Sequence, residues 1–318
     1  MAMHFSLVQL EYIVAVDTWR HFATAAEKCF VTQPTLSMQI QKMEEALGIK
    51  IFDRSKQPVI PTEAGELLIE KARTILHLAQ DLEEQAKVAR GEISGRLRLG
   101  VIPTLAPYLI PLFVRSFIER YPLVKMSIVE MTTTNMIRQL KNDMLDAALL
   151  VTPLQENGLQ ENPLFYEEFM AYVSSEETAY SKEFILAEDI DVNKLWLLEE
   201  GHCFRAQMMN LCELRRQGEQ DKHFDYEAGS IETLKKMVEQ HHGITLLPKL
   251  ATLDLSDKQK LMLRPFKHPA PVREVSLVSH RNFAKKKLLE ALKAEIVSHI
   301  PVEWTKKKGG NVVGIINA

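Results

Sequence analysis

The chain has 318 residues, 46% of them hydrophobic and 25% charged, proportions of a folded globular protein that exclude a disordered or fibrous chain. At roughly 100–200 residues per domain its length suggests two or three domains. The net charge of −3 neither requires nor forbids a nucleic-acid partner, and three cysteines (Cys29, Cys203, Cys212) are too few for a disulfide framework. With no run of 18 apolar residues and no basic-then-apolar start, the expectation is a cytoplasmic protein without a membrane partner.

Residues 6–48 read as three short helices. Ser6 and Gln9 fit a capping box ahead of Leu10, Ile13 and Val14. Phe22, Ala25, Ala26 and Cys29 then recur at i, i+3, i+4 and i+7, with Cys29 on the apolar stripe as a small hydrophobe. Thr32 caps a third helix from about Gln33, with Leu36, Ile40, Met43 and Leu47 inward and Gly48 ending it. Only Phe30, Val31 and Thr32 separate the second and third helices, which suggests a helix-turn-helix. Residues 50–61, broken by Pro58 and Pro61 and carrying Arg54 and Lys56 at the tip, read as a β-wing. Opposite its apolar face the third helix presents Gln33, Pro34, Thr35, Ser37, Gln39 and Lys42. These are short polar groups suited to the phosphates and base edges of double-stranded DNA. Residues 1–62 hold six basic and six acidic side chains, so DNA affinity must come from the placement of charge, from a dimer, or both.

Leu68, Ala72, Ile75, Ala79, Leu82, Ala86 and Ala89 form a heptad seam flanked by charged residues, which points to a coiled-coil dimerisation helix over 63–90. Gly91 and Gly95 bracket a hinge, 91–95. Strand-like runs follow at Leu97–Ile102, Met126–Val129, Ala147–Val151, Phe169–Val173, Leu195–Leu198, Ile244–Leu247 and Val275–Val278. Helical segments fall at Leu109–Tyr121, Met136–Leu140 and Ala284–Val297, and the alternation implies parallel sheets in an α/β architecture. Residues 96–305 are long enough for two lobes, about 96–166 with 272–305 and about 167–271. Residues 306–318 read as a solvated, mobile tail.

The stretches Phe22-Ala23-Thr24-Ala25-Ala26-Glu27, Val31-Thr32-Gln33-Pro34-Thr35-Leu36-Ser37, Leu47-Gly48-Ile49-Lys50-Ile51-Phe52-Asp53-Arg54, Thr62-Glu63-Ala64-Gly65 and Gly243-Ile244-Thr245-Leu246-Leu247-Pro248 resemble the LysR-type transcriptional regulators. The resemblance implies a winged helix-turn-helix (1–62), a dimerising linker helix (63–90) and a two-lobed regulatory domain like the periplasmic binding proteins (96–305). It also implies a tetramer built as a dimer of dimers and contact with RNA polymerase. Within that family, Gly201-His202-Cys203-Phe204-Arg205 followed by Cys212 looks like the hydrogen peroxide sensors of the OxyR type. That likeness makes Cys203 the peroxide-reactive thiol and Cys212 its disulfide partner, with Thr104 and Thr133 contacting peroxide and His202 and Arg205 beside the thiol. Glutaredoxin or thioredoxin would return the disulfide to thiols, and the output would be activation of antioxidant genes by a regulator that is no enzyme and needs no cofactor or metal. Ala206 stands where that subfamily often has aspartate, and His223 is the candidate for a histidine beyond the second cysteine.

The residues support a switch on their own terms. Phe204, Met208, Leu211 and Cys212 would share an apolar helical face, with Cys203, Gln207 and Asn210 roughly opposite. Nine helical residues amount to about 900° and about 13.5 Å, whereas a disulfide needs Cα atoms within about 7 Å. Oxidation must therefore unravel the helix. A helix start and the nearby His202 and Arg205 are expected to lower the Cys203 pKa. The alternatives are two inert buried thiols, a metal site joining the cysteines to His223, His241 or His242 (an eight-residue gap that is not a common zinc spacing), a regulator holding a small organic effector between its lobes, and a thiol peroxidase. Against the last stand 90 residues of apparent DNA binding and dimerisation.

Overall fold

The computed structural model describes residues 5–88, 93–199, 203–211, 228–306 and 312–314. His202, Cys212, His223 and the first two residues of the expected hinge, Gly91 and Glu92, lie outside the described residues. Two compact units are present, Met1–Glu92 with Asn282–Lys286, and Ile93–Arg281 with Lys287–Ala318. Among the described residues no helix is long and apolar enough to cross a membrane.

The first unit comprises α1 (Leu7–Trp19), α2 (Phe22–Lys28), α3 (Gln33–Leu47), β1 (Phe52–Asp53), β2 (Ile60–Pro61) and α4 (Glu63–Val88). The Ser6–Gln9 capping box closes the start of α1, whose Leu10, Tyr12, Ile13 and Val16 are buried. Thr32 caps α3, and Gly48 ends it in the left-handed conformation at φ 70°. The sharp turn between α2 and α3 takes its left-handed step at Phe30 (φ 56°). β1 and β2 pair antiparallel as the wing. Thr62 fastens that wing to α4: its hydroxyl donates to the Lys50 carbonyl at 2.7 Å and accepts from the Gly65 amide at 3.0 Å. Gly65 has a steric reason to be glycine, since a Cβ there would overlap the Ile51 carbonyl oxygen.

The heptad seam of α4 does not act as one face. Ala72 is buried and Leu68 packs against the core of its own unit, so the N-terminal part of the seam is spent within the chain. Exposure begins at Ile75 and reaches 72% at Leu82.

The second unit contains β3 (Gly95–Val101), α5 (Ala106–Arg120), β4 (Val124–Glu130), α6 (Thr133–Lys141), β5 (Ala147–Thr152), β6 (Leu159–Val173), α7 (Cys203–Leu211), α8 (Ile231–His241), β7 (Ile244–Pro248), α9 (Asp257–Lys260), β8 (Leu263–Pro265), β9 (Val272–His280) and α10 (Lys286–Ser298). Strand order is β4-β3-β5-β9-β6-β7, with β8 also on β6. The expected parallel sheets hold only for β3 with β4 and β5; the pairings of β9 and β6 with their neighbours are antiparallel. The reason is β6, far longer than the run at Phe169–Val173. Its first part pairs with β9 and its last five residues pair with β7. One strand thus serves both lobes. The run Leu195–Leu198 makes only isolated bridges, to Ile244 and Ala228.

Within the expected solvated tail, the described residues 312–314 depart from that expectation. Val312 bridges Val272 at the start of β9, and Val313 is buried in the second lobe's core. Two valines give this short segment an apolar anchor that the preceding lysines and glycines obscure in the sequence.

Candidate functional site

Because β3 and β4 are parallel neighbours, the segments leaving their C-terminal ends emerge on one edge, where ligands of such sheets usually bind. Thr104 follows β3 and Thr133 opens α6 after β4, and both side chains are buried. Cys203 is the first residue of α7 and is half-buried. Phe204 and Met208 anchor that helix in the core, the Phe204 ring stacking on Phe169 with centroids 5.6 Å apart.

At the crossing from one lobe to the other, β6 and β9 place Glu167 opposite Arg273, and both are fully buried. Arg273 Nε donates to Glu167 Oε1 at 2.7 Å, and Nη2 lies 2.6 Å from the same oxygen. Its Nη1 donates to Thr104 Oγ1 at 3.1 Å and its Nη2 to the Thr104 carbonyl at 3.3 Å. The Arg273 guanidinium also lies over the Phe204 ring, 5.4 Å from its centroid. The amide of Leu250 donates to the other Glu167 oxygen at 2.9 Å. A buried charge needs a partner and saturated hydrogen bonds; this pair has both.

The arrangement acts on the thiol in opposite directions. Burial pushes the Cys203 pKa up, while Thr133, the Arg273 charge and the backbone amides of Phe204 and Cys203 pull it down. Burial wins, so the expected lowered pKa is corrected: the pocket that shields the sulfur costs its charged form more than its donors return. The cation acting on the sulfur is Arg273. Arg205 instead donates to the Leu198 carbonyl at 2.7 Å. The Thr133 hydroxyl is enclosed, and its one interaction is with the thiol. Thr104 Oγ1 accepts from Arg273, which leaves its own proton available to donate.

Sequence reasoning missed Arg273 and Glu167. The available signal was a charged residue in a run that otherwise reads as a buried strand, Val272-Arg273-Glu274-Val275, since arginine is almost never fully buried unpaired.

Of the residues expected to meet DNA, Gln33, Pro34, Lys42 and Lys56 are exposed, and Thr35 and Ser37 are half-buried. Thr35 is tied to the cap, its hydroxyl 2.8 Å from that of Thr32. Arg54 is exposed as well, but its guanidinium is held by its own unit. It donates to Ser37 Oγ at 3.0 Å and to Glu44 Oε2 at 3.3 Å, and it lies over the Phe22 ring. Glu44, buried, also accepts from the Ile51 amide at 2.8 Å. Arg54 therefore braces the wing against α3.

Residues 7–66 match the family described as "Bacterial regulatory helix-turn-helix protein, lysR family", and residues 90–301 match "LysR substrate binding domain". A "Hydrogen peroxide-inducible genes activator" of Dickeya chrysanthemi is 35% identical over 297 residues, 93% of this chain and 96% of that protein. The solved structure of a full-length OxyR variant from Pseudomonas aeruginosa shares 33% identity at a TM-score of 0.74, covering 92% of this chain and 98% of the other. A hydrogen peroxide-bound OxyR mutant from Corynebacterium glutamicum shares 28% identity at a TM-score of 0.59, covering 94% of each.

Proposed function

The chain belongs to the LysR family of DNA-binding transcription regulators, and on that premise we propose that it senses hydrogen peroxide through Cys203 and Cys212. The observation that carries this reading is the enclosed Thr133 hydroxyl, set against the Cys203 thiol and without any other hydrogen-bond partner. A buried hydroxyl whose one partner is a weakly bonding sulfur is under-satisfied, and a small hydrogen-bonding ligand such as peroxide would complete its bonding.

The chemistry balances in two steps. The Cys203 thiolate attacks one peroxide oxygen, the O–O bond breaks, and the leaving hydroxide takes the thiol's proton to become water. The resulting sulfenic acid is then attacked by Cys212, whose proton leaves with the sulfenic oxygen as a second water. Thr104 and Thr133 orient the peroxide, and Arg273 with the α7 amides stabilises the thiolate and the departing oxygen. One such event follows each signal, with glutaredoxin or thioredoxin as the class of reductant that resets it, so the chain acts as a switch and not as an enzyme.

The rest of the machinery follows the family. Gln33, Pro34, Thr35, Ser37, Lys42 and Lys56 face double-stranded DNA, with Arg54 as the brace that sets the wing. The exposed part of α4 from Ile75 to Leu82 pairs with a second copy, and tetramer formation, contact with RNA polymerase, activation of antioxidant genes and a cytoplasmic setting complete the reading. A small organic effector between the lobes is less well supported. The buried cation that would attract one, Arg273, is saturated by Glu167 and Thr104, and Tyr108 of α5 already reaches Glu232 of α8 at 2.7 Å.

Thr133→Val tests the peroxide site. The hydroxyl's one partner is the weakly bonding sulfur of Cys203, so thermal stability should stay within about 1 kcal/mol of the parent. Oxidation of Cys203 by peroxide, followed by stopped flow, should slow by roughly tenfold to a hundredfold, the value of one hydrogen bond to a charged group. An unchanged rate would remove Thr133 from the site.

A further inference from the structure

The segment 312–314 lies along α7 on the face that carries Cys203. Cys203, Gln207 and Asn210 are spaced i, i+4 and i+7, so they share one side of the helix. Gln207, fully buried, donates through Nε2 to the Val313 carbonyl at 2.7 Å, and Asn210 Nδ2 donates to the Gly314 carbonyl at 3.0 Å. On its other side the segment is pinned to β9: the Val313 amide donates to the Val272 carbonyl at 2.9 Å, beside Arg273. Gln207 Oε1 is enclosed without a hydrogen-bond partner, so the seated arrangement carries an unsatisfied acceptor.

We propose that residues 312–314 are a latch released by oxidation, which holds α7 helical in the thiol state and must leave it when the Cys203–Cys212 bond forms. The inference rests on the disulfide reading above, whose net step is two thiols plus hydrogen peroxide giving a disulfide plus two waters. Eight helical steps lead from Cys203 to Leu211, a rise of about 12 Å, and consecutive Cα atoms lie only about 3.8 Å apart. A residue bonded to Leu211 therefore cannot bring its Cα within about 8 Å of that of Cys203 while α7 persists, beyond the limit of about 7 Å for a disulfide. Unwinding displaces Gln207 and Asn210, the two side chains that hold the latch to the helix. Release also removes the hydrogen bond on the Val272 carbonyl, so the state of the thiols is passed to β9 next to the buried ion pair.

The test uses the full chain with one equivalent of hydrogen peroxide, an Asn210→Asp variant and a chain ending after Asn311. Aspartate keeps a similar helix propensity, but its carboxylate cannot donate to Gly314. Disulfide closure should be about fivefold faster in Asn210→Asp, the value of one net hydrogen bond, and faster still in the shortened chain. Sulfenic acid formation, trapped in a Cys212→Ser background, should be unchanged. Exchange of the Val313 amide should be slow in the thiol form and at least tenfold faster in the disulfide form. If the parent forms the disulfide while Val313 stays protected, or if both variants close at the parental rate, the latch is wrong and the disulfide reading stands. If the parent forms no Cys203–Cys212 disulfide, both fall.

Discussion

Cys203→Ser should abolish the peroxide response outright, with DNA binding and thermal stability retained. Serine is close in size and favours helix starts, so α7 keeps its N-terminus, but a hydroxyl oxygen cannot be oxidised to a sulfenic acid. Cys29 offers no bypass: burial, and then the Glu11 charge, push its thiol pKa up, and it has none of the cation, hydroxyl and amide interactions that pull the Cys203 pKa back down. Cys212→Ser should separate the two steps. Its Cys203 should gain one oxygen at the parental rate, yet peroxide-dependent transcription should be lost because no bond forces α7 open. Intact-mass spectrometry with in vitro transcription reads both variants. A Cys203→Ser chain that still responds would place the sensor elsewhere.

Arg273→Met should weaken the regulatory unit by about 3–5 kcal/mol, the cost of stripping a buried carboxylate of its partner. Glu167 would keep only the Leu250 amide, and Thr104 would lose the donor that fixes its hydroxyl. The thiol would lose a cation that pulls its pKa down, and each unit of rise costs tenfold in thiolate. Cys203 oxidation should therefore slow by at least tenfold. Pairing Arg273→Met with Glu167→Leu separates the effects, since an apolar pair can replace a buried ion pair without loss of stability. Urea denaturation should recover in the double variant, while the slow oxidation persists. Recovery of both would reduce Arg273 to a structural group.

These two residues also show what sequence displays and what it hides. Cys203, Thr104 and Thr133 can be proposed from sequence because each sits in a local pattern, a motif or the end of a strand. The caps of α1 and α3 were legible for the same reason, since Ser6 with Gln9 and Thr32 with Thr35 act over three residues. Arg273 and Glu167 were not, because they are 106 positions apart and meet only through the antiparallel register of β6 and β9. Pro163 and the polar run Gln160-Glu161-Asn162 hid the first part of β6, which removed the strand on which Glu167 lies. The partners of Gln207 and Asn210 on the polar face of α7 were not legible, because they come from beyond residue 311. The thiol's pKa was misjudged because sequence displays neighbouring charges but not the burial that outweighs them.

The most direct measurement is the Cys203–Cys212 separation in crystals of the full chain in the thiol form and after one equivalent of peroxide. In the first the Cα atoms should lie more than about 7 Å apart, with α7 helical through Leu211. In the second the pair should be bonded, with α7 unwound. Sulfurs already adjacent in the thiol form, or a disulfide formed beside an intact α7, would contradict the proposed switch.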